Sequence, residues 1–151
     1  EGLWYEDLYF VMAVMLRAGT AVKVPRALYH YRCGQVSTMN NNNAAKNLDM
    51  LKILDSMKAF MLPEHKGEFE ALLLGHLLLD TINRVSAQKS PDKGRVIEKL
   101  RLYARENLPR LSSCPAYRRE SPRRRIIMGL NYHGLHPVSA LIFALKRRGM
   151  K

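Results

Sequence analysis

Two carboxylates stand side by side at Glu6 and Asp7, and a guanidinium follows at Arg32, directly after Tyr29-His30-Tyr31. A hydroxyl comes five residues later, at Ser37. A carboxylate within hydrogen-bond reach of a hydroxyl can take its proton. A guanidinium, planar and permanently charged, grips phosphate oxygens in a fork. Neither residue type is diagnostic alone, because acids are ordinary in the first turn of a helix, where they suit the dipole. Five histidines, at positions 30, 65, 76, 133 and 136, raise the question of metal. His133 and His136 lie three apart, but Gly134 between them and Pro137 after them spoil a rigid helical pair. No Cys or acid is near them in sequence to complete a ligand set. His76 falls in a Leu-rich stretch and reads as a histidine satisfied within the core.

The elements that must position these groups follow from hydrophobic spacing. Leu8, Val11, Met12, Met15 and Leu16 recur at helical intervals, which predicts a helix over 6–18 with Gly19 as its stop. Ala21–Val24 and Ala27–Tyr31, rich in Val, Leu and Tyr around Pro25, read as two short strands. Their alternation should pack Tyr29 or Tyr31 against a core. The polar run Asn40–Asn43 marks a boundary or hinge. Beyond it the pattern is helix after helix. Met50, Leu54, Met57 and Met61 stripe a helix over 44–61. Phe69, Leu72, Leu73, Leu77, Leu78, Ile82 and Val85 make 65–86 apolar nearly all round, so it should be the central helix. Val96, Ile97, Leu100 and Tyr103 mark 92–107. Ser121-Pro122 starts another helix with Ser as N-cap and Pro at the first helical position. The last, over 137–148, carries Val138, Leu141, Ile142 and Leu145 on one face and closes with Lys146, Arg147 and Arg148.

The composition, 47% apolar and 25% charged in 151 residues, excludes a wholly disordered or collagen-like chain. No apolar run approaches the roughly 20 residues of a spanning helix. Two cysteines, Cys33 and Cys114, are too few for a disulfide scaffold. The net charge of +12 is concentrated at one end: residues 115–151 hold nine basic side chains and one acid. That tail reads either as a solvated face, or one salt-bridged to an absent domain, or as a contact with an anionic membrane surface. Nucleic acid is the weaker reading, since no aromatics are interleaved with the cations as stacking platforms. A chain opening on Glu1 rather than Met reads as a piece of something longer.

Tyr5-Glu6-Asp7-Leu8, then Leu28-Tyr29-His30-Tyr31-Arg32, then Ser37 together resemble the C-terminal end of the catalytic domain in glycosyltransferase family 2, inverting enzymes of the GT-A fold. The resemblance covers residues 1–40. Together with the helical spacing beyond it, this makes the chain read as mostly α: 1–42 as the end of a GT-A α/β domain, with one helix and two short strands, and 43–151 as a helical bundle with a basic tail. Asp7 would be the general base, with Glu6 supporting it, and Arg32 and Ser37 would hold the donor diphosphate. Cys33-Gly34-Gln35 follow Arg32 where family members often place a second basic residue. The parent would be a hexosyltransferase-like enzyme of bacterial polysaccharide biosynthesis at the cytoplasmic face of the membrane. It would move sugar from a nucleotide sugar, UDP-linked, to a glycan or lipid-linked acceptor. The family's metal-binding aspartate pair, for Mg or Mn, lies in the nucleotide-binding half, and no Asp-x-Asp occurs here. The piece should therefore bind no metal and be inactive alone. The residues themselves leave open a second reading, a non-catalytic helical module for assembly or membrane attachment.

Overall fold

The computed structural model describes residues 2–30 and 43–148, with side chains through Ile142. Glu6 and Asp7 open α1 (Glu6–Met15), which ends three residues before the expected 18. Tyr5, Leu8 and Met12 turn inward from it and pack on the core. Residues 20–30 run without regular structure, and no strand occurs among the described residues. The expected strands 21–24 and 27–31 are corrected accordingly, the end of the second lying outside the described residues. Strand hydrogen bonds are made to a neighbouring strand, and none is here to receive them. Tyr29 is likewise 80% exposed instead of packed, and Tyr31 lies outside the described residues.

The rest is helical, as the spacing predicts. A 3-10 turn, Ala45–Leu48, leads into α2 (Asp49–Lys58), which buries Met50, Ile53, Leu54 and Met57. The backbone N–H of Lys46 donates to Asn43 Oδ1 at 3.2 Å, fixing the entry to that turn. Next comes α3, a continuous helix built of Lys66–Leu72, a π-helical stretch Leu73–Thr81, and Ile82–Ala87. It is the central element: Leu73, Leu74, Leu77, Leu78, Ile82 and Val85 are all essentially inaccessible. At about 1.5–3 kcal/mol for each fully buried aliphatic side chain, this helix is the largest contributor to the core. Across it lies α4 (Lys93–Asn107), burying Val96, Ile97, Leu100 and Ala104. A short helix, α5 (Pro115–Arg119), was not evident from periodicity because five residues show too little of it.

The last two helices form a hairpin, α6 (Pro122–Tyr132) and α7 (His136–Arg148). Pro122 sits at the first position of α6 as expected, while Ser121 occupies the N-cap site without capping through its hydroxyl. The turn between them is a Schellman arrangement: Leu135 N–H reaches Leu130 O at 2.7 Å and Gly134 N–H reaches Asn131 O at 3.2 Å. Gly134 has φ +84°, a conformation that costs glycine least. The apolar face expected on the last helix is divided. Ile142 packs on the core and Ser139 is buried, whereas Val138 and Leu141 face outward. Among the described residues no helix is long and apolar enough to cross a membrane.

A buried polar cluster ties α3 to the hairpin. Asn131 Nδ2 donates to Leu78 O at 2.6 Å, and Asn83 Nδ2 donates to Leu79 O at 2.5 Å. Between the two amides sits Ser139, whose hydroxyl lies 3.2 Å from Asn83 Oδ1, 2.9 Å from His136 O, and against Asn131 Oδ1. Asn131 and Ser139 are fully buried, so these bonds have no water to replace them. Removing one partner of a buried hydrogen bond costs the desolvation of the group left behind. Asn131→Ala should therefore lower the unfolding free energy by about 1–3 kcal/mol, read as a reduced midpoint in urea denaturation at unchanged slope.

Candidate active site

The backbone leading into α1 is strained at one residue. Tyr5 has φ 69° and ψ 19°, the left-handed conformation, and is the one non-glycine residue with positive φ among those described. Such a conformation costs a bulky residue on the order of 1–3 kcal/mol and persists only where its surroundings enforce it. Here they do. Tyr5 Oη donates to Asn47 Oδ1 at 2.7 Å and accepts from Arg84 Nη1 at 3.2 Å, while the guanidinium lies over the ring, 5.5 Å from its centre. Burial pushes the phenol above its ordinary pKa, so it remains a neutral O–H donor.

The neighbours of Tyr5 are fastened as well. Lys46 Nζ donates to Gly2 O at 2.6 Å, and the Trp4 N–H donates to Asp49 Oδ2 at 3.3 Å. Asp49 is buried and receives Lys46 at 2.7 Å and Lys52 at 2.9 Å. Burial alone would raise its carboxyl, but the two ammonium groups and the Trp4 N–H outweigh that and hold it below the usual range. The segment carrying the acidic pair is thus anchored to the helical region at three residues, Gly2, Trp4 and Tyr5.

The result is a cavity of about 710 Å³ between the start of α1 and the outer side of α3. Trp4, Glu6 and Asp7 line it from one side, and His76, Asp80 and Arg84 from the other. Glu6 and Asp7 are exposed and have no hydrogen-bond or ion-pair partner among the described residues. Carboxylates free of other engagements, at the wall of a cavity, are available to accept a proton from a hydroxylated ligand. The π-helical stretch contributes directly, with Thr81 Oγ1 donating to His76 O at 2.7 Å across five residues. π-Helical turns are rare and recur at functional sites.

Of the residues singled out in the sequence, Glu6 and Asp7 lie together on this wall. Arg32 and Ser37 lie outside the described residues. His76 is corrected: it is exposed on the cavity and not a core histidine. The sequence did carry a signal for the opposite wall. His76, Asp80 and Arg84 fall at i, i+4 and i+8, a polar stripe along an otherwise apolar helix. Among the described residues no group of three or more His, Cys, Asp or Glu could hold a metal ion.

Compared with models of known protein families, with curated proteins and with solved structures, the chain matches none.

The anchoring at Asp49 makes the site sensitive to acid. A carboxyl whose folded pKa lies below its unfolded value, about 3.9, adds stability that is present above that value and lost as pH falls through the folded pKa. Trp4 is the single tryptophan and reports on this segment. Its fluorescence in urea titrations should show stability steady from pH 7 to about 5 and falling below about 4. Asp49→Asn should be less stable at pH 7 and should show a flatter dependence over that acid range.

Proposed function

We propose that the chain is the C-terminal part of an inverting glycosyltransferase, in which Asp7 acts as general base. The observation that carries this reading is the meeting of Glu6 and Asp7, without a partner among the described residues, with Trp4, His76, Asp80 and Arg84 around one cavity. In the proposed reaction the Asp7 carboxylate takes the proton of an acceptor hydroxyl while that oxygen attacks the anomeric carbon of the donor sugar. The bond from that carbon to the nucleoside diphosphate breaks, and the configuration inverts. Positive charge must meet the leaving diphosphate. Arg32 and Ser37 are the groups we assign to it, with a UDP-linked sugar as donor and a glycan or lipid-linked acceptor. The carboxylates and the indole of the cavity suit the hydroxyls and apolar ring face of a sugar. Activity would belong to the longer enzyme at the cytoplasmic face of the membrane, together with its Mg or Mn.

A further observation supports membership of a larger catalytic domain. Phe10, Val11, Val14 and Met15 of α1 are exposed, and so are Val22, Val24, Leu28 and Tyr29 of the segment after it. Contiguous exposed apolar surface of this kind marks an interaction face. In a GT-A domain the neighbouring sheet would cover it.

The alternative is a non-catalytic helical module, favoured by one observation: residues 43–142 make most of the core from helices alone. The coding sequence upstream of Glu1 separates the two. The enzyme reading requires a Rossmann-like half carrying Asp-x-Asp there, and fails without it. In the longer enzyme Asp7→Asn keeps size and shape but removes the base, so turnover should fall by about 10²–10⁴-fold with donor affinity nearly unchanged. Full activity of Asp7→Asn would remove the assignment.

A further inference from the structure

The hairpin of α6 and α7 presents apolar side chains to solvent where a small helical region would ordinarily bury them. Ile126 is 56% exposed, Leu135 51%, Val138 47% and Leu141 61%. They are not scattered. Ile126, Leu130 and Leu135 line an open groove of about 560 Å³ along α6 and its turn, and Leu135, Val138 and Leu141 continue from it at intervals of three along α7. Arg125 is part of the same groove, its guanidinium lying 5.5 Å from the centre of the Tyr117 ring. Arg123 reaches from α6 to Ile142 O at 3.2 Å, at the far end of the apolar line. Arg118 and Arg119 end α5 just before it, both exposed. The one acid of the region, Glu120, is engaged by Arg124 at 2.6 Å. The surface is therefore apolar along its middle, cationic at its edges, and without free negative charge.

We infer that this face docks on an anionic lipid bilayer, with Leu135, Val138 and Leu141 entering the acyl boundary and the arginines meeting the headgroups. Both features are needed to choose this occupant. Apolar side chains beside cations are the composition of an interfacial helix, whereas a nucleic acid would meet the arginines and leave three exposed aliphatic residues without partners. A protein partner of ordinary surface would not account for nine cations against one acid in residues 115–151. Within α6, α7 and the Schellman turn the backbone is hydrogen-bonded to itself, which limits the unpaired groups that lipid would cover. The inference does not depend on the proposed enzymatic activity.

The test is flotation of the 151-residue chain with vesicles of phosphatidylcholine, alone or mixed with phosphatidylglycerol. Binding is expected to the mixed vesicles only. It should weaken as salt rises from about 0.1 M towards 1 M, where the Debye length shrinks from about 10 Å to about 3 Å. Val138→Ser with Leu141→Ser, both at exposed positions, should reduce binding by about tenfold or more. Arg118→Gln, Arg119→Gln and Arg125→Gln together should reduce it by about fivefold per residue that reaches the surface. Leu62→Ser with Leu102→Ser, exposed elsewhere, should leave it unchanged. Absence of binding to the mixed vesicles, equal binding to neutral ones, or equal loss in the Leu62 and Leu102 variant would overturn the inference. So would salt-dependent binding to a mixed-sequence RNA that the serine substitutions leave intact while vesicles go unbound.

Discussion

The organisation of this molecule rests on α3 and on its having two unlike sides. One side must be dry, because Leu73, Leu74, Leu77, Leu78, Ile82 and Val85 are buried where α4, α6 and α7 pack against the helix. The other must be wet, because His76, Asp80 and Arg84 follow one another along it and cannot be buried without partners. The π-helical stretch Leu73–Thr81 lies where these two demands coincide. Its hydrogen bonds span five residues instead of four, which widens the turn and shifts the register between the apolar and polar rows. It also holds the carbonyl of Leu78, which receives the amide of Asn131 and so joins the hairpin α6–α7 to the helix. The hydrogen bond that joins the hairpin and the stripe that walls the cavity are therefore consequences of one local change in helix geometry.

The opposite wall is held by a different device. Tyr5 is kept in an unfavourable backbone conformation by contacts of its own side chain, to Asn47 before α2 and to Arg84 on α3. Two hydrogen bonds, one from a charged group, are worth about 2–4 kcal/mol together, enough to offset a left-handed tyrosine. The benefit falls on the next two residues. With the chain turned at Tyr5, Glu6 and Asp7 begin α1 at the cavity and need no partners of their own to hold them there. Arg84 serves both walls at once, as the last member of the polar stripe and as a clamp on the tyrosine.

How far all this could be read from the sequence divides along a physical line. Helices 44–61, 65–86, 92–107 and 137–148 were legible because helix hydrogen bonds are local and the apolar period is long enough to recognise. The burial of Leu73, Leu77 and Leu78 followed from the same pattern. Residues 21–24 and 27–30 were misread as strands because Val, Leu and Tyr alternating around Pro25 express only a preference for extended backbone. A strand also needs a neighbour, which local sequence does not contain. The acidic pair was legible as chemistry, but its surroundings were not. Asp49, Asn47 and Arg84 come from 42 to 79 residues away to fix Trp4 and Tyr5, and no spacing rule connects them. His76 was misjudged for a simpler reason: its neighbours Leu74, Leu77 and Leu78 are buried, but an i, i+4, i+8 row of His, Asp and Arg states a polar face more strongly than the surrounding leucines state an apolar one.

Two exposed apolar surfaces remain, and they ask for different partners. Residues 19–30 are exposed, and among the described residues none of their N–H or C=O groups makes a backbone hydrogen bond. A lipid surface offers nothing to those groups, and a sheet edge offers a complete ladder. Val22 and Val24 exposed to one side of Lys23 have the alternation such a ladder would use. On α6 and α7 the backbone is helical and pairs with itself, and what faces solvent is aliphatic side chain bordered by arginine. A sheet has no use for that face, and an anionic bilayer matches both of its components. The two surfaces lie on different elements, one on α1 and the segment after it and the other on α6 and α7. On the proposed reading the first meets the catalytic half and the second the membrane.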